Sequence, residues 1–268
     1  MEKKRYFISA DIEGITDVTF WSETEEGKQG YDAACEQMTR ETAAACRAVL
    51  AAGAIPVVRD GHGGACNIRH MGLPEGTELM RGWPCHPASM MGGLDGSFSG
   101  ALYIGYHAPA GCDGSPLAHT SEYELIRWAK INGQLASEFT MNALYAASLG
   151  VPSLFLSGDE AMCRMAEAEI PGLATVAVKR CKGNSTWNLH PLTAEKAIEE
   201  TVARQLAAGG PPVPQVPETL VLEVCLPTHQ SVRSACRLPG VEKIADDVVR
   251  YTAKTPEELK MVCELIMG

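Results

Sequence analysis

The sequence predicts an α/β protein: a mainly parallel, doubly wound sheet with a second, smaller α+β domain at the C-terminal end. Three observations carry that prediction. Short apolar runs alternate with longer segments of helical period over the first two-thirds of the chain, the pattern of βαβ units and a parallel sheet. Residues 210–217 read Gly-Pro-Pro-Val-Pro-Gln-Val-Pro, the one clear break in composition, fit for a loop or linker. The length, 268 residues, suits one large α/β domain or two modest ones. The expected partition is an α/β domain over 1–185 and a smaller α+β domain over 186–268.

The elements follow in order. A strand at about 5–10 leads to a long Ala-rich helix at 29–52, with Gly53 where a helix cap belongs. Ile55-Pro56-Val57-Val58-Arg59 is the second strand. A less regular stretch follows, with helical turns near 66–71 and 87–92. Residues 101–106 form a third apolar strand. Asn132-Gly133 is a strong hairpin signal between 121–131 and 134–136. A helix at 138–149, a strand at 153–156, a helix at 159–168 and a strand at 173–180 complete the first part. The second part reads helix (193–208), strand (219–225), helix (229–237), strand (241–253) and helix (256–267).

Charge narrows the partners. Lys and Arg number 23 against 33 Asp and Glu, a formal net charge of −10. That disfavours nucleic acid and anionic membrane surfaces and suits metal ions or a small substrate. The basic start, Met1 to Arg5, is followed by an apolar run too short for a signal peptide, and it meets Asp11 at once. No apolar stretch reaches membrane-helix length, so a cytoplasmic protein is expected. The ten cysteines include no C-x-x-C pair and no thiolate zinc spacing. They are expected as reduced thiols.

In an open α/β sheet, sites form beyond the carboxyl ends of parallel strands. Asp11 and Glu13 follow the first strand, Asp60-Gly61-His62 the second and His107 the third, while Glu138 opens the helix behind the hairpin. Taken singly, each has an ordinary reading as a cap, turn residue or solvated side chain. Together they place metal-capable side chains at one sheet edge. Carboxylates with imidazoles and no thiolate suit Zn²⁺, Mn²⁺ or Co²⁺. Asp11, Glu13, His62, His107 and Glu138 supply six coordination positions if one carboxylate bridges. A shared water or hydroxide then gives four per ion, and Asp11 at the strand tip is the expected bridge. Such a pair does hydrolytic work. His119, in the loop 109–120, is the candidate to give a proton to the departing amine.

These blocks resemble a known family. "SADIEG" (9–14), "RDGH" (59–62), "GALYIGYHA" (100–108), "LAHT" (117–120), "INGQLASE" (131–138), "SGDEA" (157–161) and "AVKR" (177–180) are similar, in order, to blocks of the zinc-dependent D-aminopeptidases of dipeptide-transport operons, peptidase family M55. The resemblance implies an aminopeptidase with two Zn²⁺ per chain that removes N-terminal D-amino acids from small peptides or amides. It implies metal ligands at Asp11, Glu13, His62, His107 and Glu138, and a catalytic role for His119, which the family describes as a nucleophile. It also implies a homo-oligomer, a decamer of two pentameric rings. Gly61, Thr120 and Ser137 stand where the family tends to have Ser or a similar residue, Ser and Gly. Other readings are another amide substrate for the same metals, or a cytosolic peptide- or metal-binding protein without turnover.

Overall fold

The structure, a computed structural model, describes residues 3–267. Met1, Glu2 and Gly268, the outer ends of the two expected domains, lie outside the described residues. The chain runs β1 (Arg5–Ala10), α1 (Tyr31–Ala51), β2 (Ile55–Asp60), β3 (Glu78–Met80), β4 (Ala101–Tyr106), β5 (Trp128–Ile131), β6 (Gln134–Leu135), α2 (Glu138–Ser148), β7 (Ser153–Asp159), α3 (Glu160–Glu169), β8 (Ala174–Lys182), β9 (Ser185–Asn188), α4 (Pro191–Ala208), β10 (Leu220–Cys225), α5 (His229–Ala235), β11 (Glu242–Lys243), β12 (Val248–Ala253) and α6 (Pro256–Met267).

Seven strands form the first sheet in the order β3-β2-β1-β4-β7-β8-β9. All neighbours are parallel except β9, which returns antiparallel on β8. The chain builds outward from β1 through β2 to β3, then crosses back to β4 on the other side of β1. This reversal opens a crevice past the carboxyl ends of β1 and β4, where open α/β sheets bind their ligands. Both faces are covered, as an all-apolar parallel strand requires. Ile8, Ile104, Met38, Cys46, Ile198 and Val202 make a core with α1 and α4 on one face. Phe7, Tyr103, Phe139, Leu156 and Met162 make another with α2 and α3 on the opposite face. Phe7 and Ile8 are fully buried on these opposite faces. Burial of such side chains contributes ~1.5–3 kcal/mol each.

The second sheet has the order β11-β12-β10-β5-β6 and is antiparallel. Its apolar face packs with α5 and α6 through Ile131, Leu222, Val249, Leu259 and Cys263. The hairpin signal holds: Asn132 and Gly133 both have positive φ, 50° and 80°, as a tight two-residue turn demands. The hairpin pairs with β10, with Trp128–Ile131 against Leu222–Cys225. It therefore belongs to the second sheet, whereas α4 packs on α1 of the first unit. The partition expected near residue 186 does not coincide with the division between the sheets. Pairing across some 90 residues is set by tertiary contact, not by local pattern. The single strand expected at 241–253 is instead β11 and β12, separated by a turn at 244–247. The short edge strands β3 and β9 are additional.

Candidate metal centre

The site begins where β1 runs out. Asp11 N still donates to Ile104 O at 2.8 Å, and Gly14 N donates to Gly105 O at 2.7 Å. The segment 11–14 thus lies against the end of β4. Only glycine allows this approach, because a Cβ at Gly14 would sit 1.9 Å from Tyr106 O. Two buried ionisable side chains hold the turn. Lys179 Nζ donates to the carbonyls of Glu13 and, at 2.5 Å, Val18. Glu41 Oε1 accepts from Thr16 N at 3.0 Å. Asp60 aims the next loop by accepting from Asn67 N, Ile68 N and Asn67 Nδ2 at 2.6–2.8 Å, with His62 on that loop. Asp159 accepts from Ala108 N at 2.7 Å, fixing the residue after His107. Ser137 caps α2 and accepts from Thr140 N, so Glu138 sits in the first turn.

Backbone carbonyls set the histidine tautomers. His62 Nε2 lies 2.7 Å from Thr24 O, His107 Nδ1 3.0 Å from Ala108 O, and His119 Nδ1 3.0 Å from Leu117 O. Each of these nitrogens donates to its carbonyl, so the opposite nitrogen of each ring is the one turned to the carboxylates and available to a metal when unprotonated. Those nitrogens meet the carboxylates. His62 Nδ1 is 3.3 Å from Asp11 Oδ1 and 3.2 Å from Glu13 Oε2. His107 Nε2 is 3.4 Å from Asp11 Oδ2 and 3.5 Å from Glu138 Oε2. The two oxygens of Asp11 thus face two separate nests, one with Glu13 and His62 and one with His107 and Glu138. His119 Nε2 lies 3.6 Å from Glu138 Oε1, and its ring stacks on His107 at 4.1 Å.

The donor set fits a metal pair. Asp11, Glu13, His107 and Glu138 are all at least nine-tenths buried, an arrangement of carboxylates that is costly without cations. Glu13 Oε2 and His107 Nε2 are buried without a hydrogen bond among the described residues. Tetrahedral ligands ~2.0–2.1 Å from zinc lie ~3.3–3.4 Å apart, which matches the separations within both nests. Ligand atoms of Asp11, Glu13 and His107 lie within 4.8 Å of one another, as do those of His107, His119 and Glu138. The charges are tightly coupled. Burial alone would draw the His107 pKa down, but the Glu138 and Asp11 carboxylates outweigh it and hold the imidazole well above its ordinary range. His62 is raised in the same way against its own burial, by Glu13 and Asp11. Burial alone would push Asp11 up, yet the His107 and His62 imidazoles beside it hold it well below the usual carboxylate range.

All six residues singled out in the sequence converge here. A cleft of about 780 Å³ opens from Asp11, Glu13, His62, His119 and Glu138, with His107 buried behind them. Trp21 meets His119 edge-on at 5.3 Å and stacks on Tyr123 at 4.2 Å, which walls one side. The sequence reading missed Trp21, Lys179 and the buried Lys260. A lysine inside an otherwise apolar strand, as in Ala-Val-Lys-Arg, was the available signal for Lys179.

The sequence profile of peptidase family M55, D-aminopeptidase, matches residues 5–265. The chain belongs to that family. A D-aminopeptidase of Bacillus subtilis (strain 168) is 30% identical over 254 residues, which cover 93% of this chain and 92% of the relative. A solved structure, the Zn-dependent D-aminopeptidase DppA from Bacillus subtilis, a self-compartmentalizing protease, superimposes with a TM-score of 0.91 at 27% identity. The match covers 98% of this chain and 96% of that one. Family membership makes the chain a metallo-aminopeptidase, a hydrolase of peptide bonds. Thr120, Ser137 and Gly61 have local roles. Thr120 Oγ1 accepts from Ala110 N and donates to Ala136 O. Ser137 is the cap of α2, and at Gly61 a Cβ would press on Ala10 O and Met90 at 3.0 and 3.1 Å.

Proposed function

We propose that this chain is a zinc aminopeptidase that binds two ions and removes N-terminal D-amino acids from small peptides or amides. The observation that carries the reading is the division of Asp11, one oxygen toward each nest. Asp11, Glu13 and His62 would hold one ion, and Asp11, His107 and Glu138 would hold the other. Bound there, zinc supplies Lewis-acid polarisation of the scissile carbonyl and acidification of water.

The remaining steps belong to the chain. Thr24 O, Ala108 O and Leu117 O fix each imidazole so that its other nitrogen faces the carboxylates. His119 is outside the bridged pair, and its Nε2 faces the cleft beside Glu138. It takes the proton of the attacking water at Nε2 and gives it to the departing amine, a role worth ~10²–10⁴ in rate. Trp21, backed by Tyr123, covers one side of that ring. The D-preference rests on family membership and on the D-aminopeptidases to which the chain is similar.

The assembly proposed is a homo-oligomer, a decamer of two pentameric rings, with a mass ten times the 28.7 kDa of one chain; light scattering measures it. The ten cysteines are free, which suits the cytoplasm proposed as its compartment. No helix among the described residues is long and apolar enough to cross a membrane. Zinc-replete protein is expected to hydrolyse D-alanyl amides faster than L-alanyl amides. Failure to cleave any D- or L-aminoacyl amide refutes the reaction class.

A further inference from the structure

Beside the metal centre the cleft holds one cation that the reaction does not use. Lys260, on α6, is 7% exposed and lines the cleft. It is the only Lys or Arg among the described lining residues. Its Nζ donates to Asn142 Oδ1 at 2.6 Å and has no carboxylate within ion-pair distance among the described residues. An ammonium carries three donors, so two are left for the cleft. Burial draws the Lys260 pKa down to about 8, which leaves it cationic at neutral pH.

Asn142 is held in one orientation. Its Nδ2 donates to Tyr106 Oη at 2.9 Å, and that hydroxyl shares a hydrogen bond with Ser9 Oγ at 2.8 Å. The amide oxygen is thereby turned to Lys260. Asn142 follows Glu138 by four residues on α2, so both project from the same helix face, ~6 Å apart along the axis. In a dipeptide the scissile carbonyl and the terminal carboxylate are one residue apart, ~3.8 Å. A substrate with its scissile bond at Glu138 therefore brings its carboxylate to within reach of Lys260. Away from α6 the cleft rim is acidic, with Glu25, Glu26 and Glu122, and suits the substrate's ammonium end.

We infer that Lys260, oriented by Asn142, is a carboxylate subsite that selects dipeptides with a free C-terminus over their amides. This rests on the aminopeptidase reading for the position of the scissile bond. Burying an unpaired ammonium is costly, and a substrate carboxylate supplies the missing partner.

The test compares D-Ala-D-Ala with D-Ala-D-Ala amide on the zinc-loaded full chain. The wild type is expected to favour the free acid by at least tenfold in kcat/KM. In Lys260→Met that acid-to-amide ratio falls at least tenfold, carried by KM. Asn142→Asp, which places a carboxylate on the ammonium without removing it, produces the same collapse and covers the case of a poorly folded Lys260→Met. Calorimetric binding of the same two compounds to metal-free protein gives a second readout. A wild-type ratio near one, or a ratio unchanged in both variants, overturns the inference while leaving the aminopeptidase reading intact. If neither compound is hydrolysed, the aminopeptidase reading fails. Calorimetry then decides: acid-selective binding lost in the variants supports the subsite, and no selectivity overturns it.

Discussion

Glu41 offers a prediction whose size follows from its surroundings. It sits on α1, fully buried, and accepts from Thr16 N on the loop that carries Asp11 and Glu13 and from Gln37 Nε2 at 3.2 Å. Its other oxygen has no partner among the described residues. Burial pushes its pKa from 4.5 to about 7, against the two hydrogen bonds and Lys179, with Glu195 adding to the rise. The sign follows from linkage. Between pH 4.5 and about 7 the folded chain keeps a proton that the unfolded chain has released, so stability falls as pH rises through that window. At ~1.4 kcal/mol per pH unit the loss is roughly 3 kcal/mol by pH 8. Glu41→Gln keeps an acceptor for Thr16 N and never ionises. The difference in stability between variant and wild type should therefore move in the variant's favour by roughly 3 kcal/mol from pH 4.5 to pH 8, or ~6–10 °C in Tm. Denaturant unfolding of both proteins at several pH values measures it, and the comparison cancels the titration of every other group. A difference that stays constant with pH refutes the assignment of a neutral, buried Glu41.

His119→Ala should keep its zinc and lose ~10²–10⁴ in kcat; metal analysis beside the amide assay checks both, and loss of zinc would make His119 a ligand. Lys179→Met removes the donor to the Glu13 and Val18 carbonyls, and zinc affinity should drop ~10–100-fold, as for other groups that orient ligands; competition with a chromogenic chelator reads it. Gly14→Ala drives a Cβ into the Tyr106 carbonyl and should cost more than ~3 kcal/mol, seen as lost soluble yield or a lowered Tm. Chelation should lower the Tm of the wild type, because zinc at 100 times its Kd contributes ~2.7 kcal/mol per ion; a chelator-insensitive melting curve contradicts the metal centre.

The site was legible because its residues obey a local rule. Asp11, His62 and His107 each follow a parallel strand, and the carboxyl ends of parallel strands share one edge. The Asn132-Gly133 turn was legible for the same reason, since positive φ at two successive residues is written in residue type. What escaped depends on contacts distant in sequence. Nothing local in Trp128–Ile131 says that it pairs with β10 rather than with the first sheet. β3 is three residues long and β9 four, too short for a period to register. Lys260 reads as an ordinary solvated lysine on an amphipathic helix; only the packing of α6 beside α2 turns it inward. The division of Asp11 between two nests needed coordinates, although its place at the strand tip suggested the role.

The central claim is that two ions share Asp11. Its most direct test is stoichiometric titration of the metal-free protein with zinc, following hydrolysis of a D-alanyl amide in the same samples. Activity is predicted to rise until two zinc per chain are bound, and Asp11→Asn is predicted to bind fewer than two. Full activity at one zinc per chain, or hydrolysis indifferent to zinc, would contradict the account.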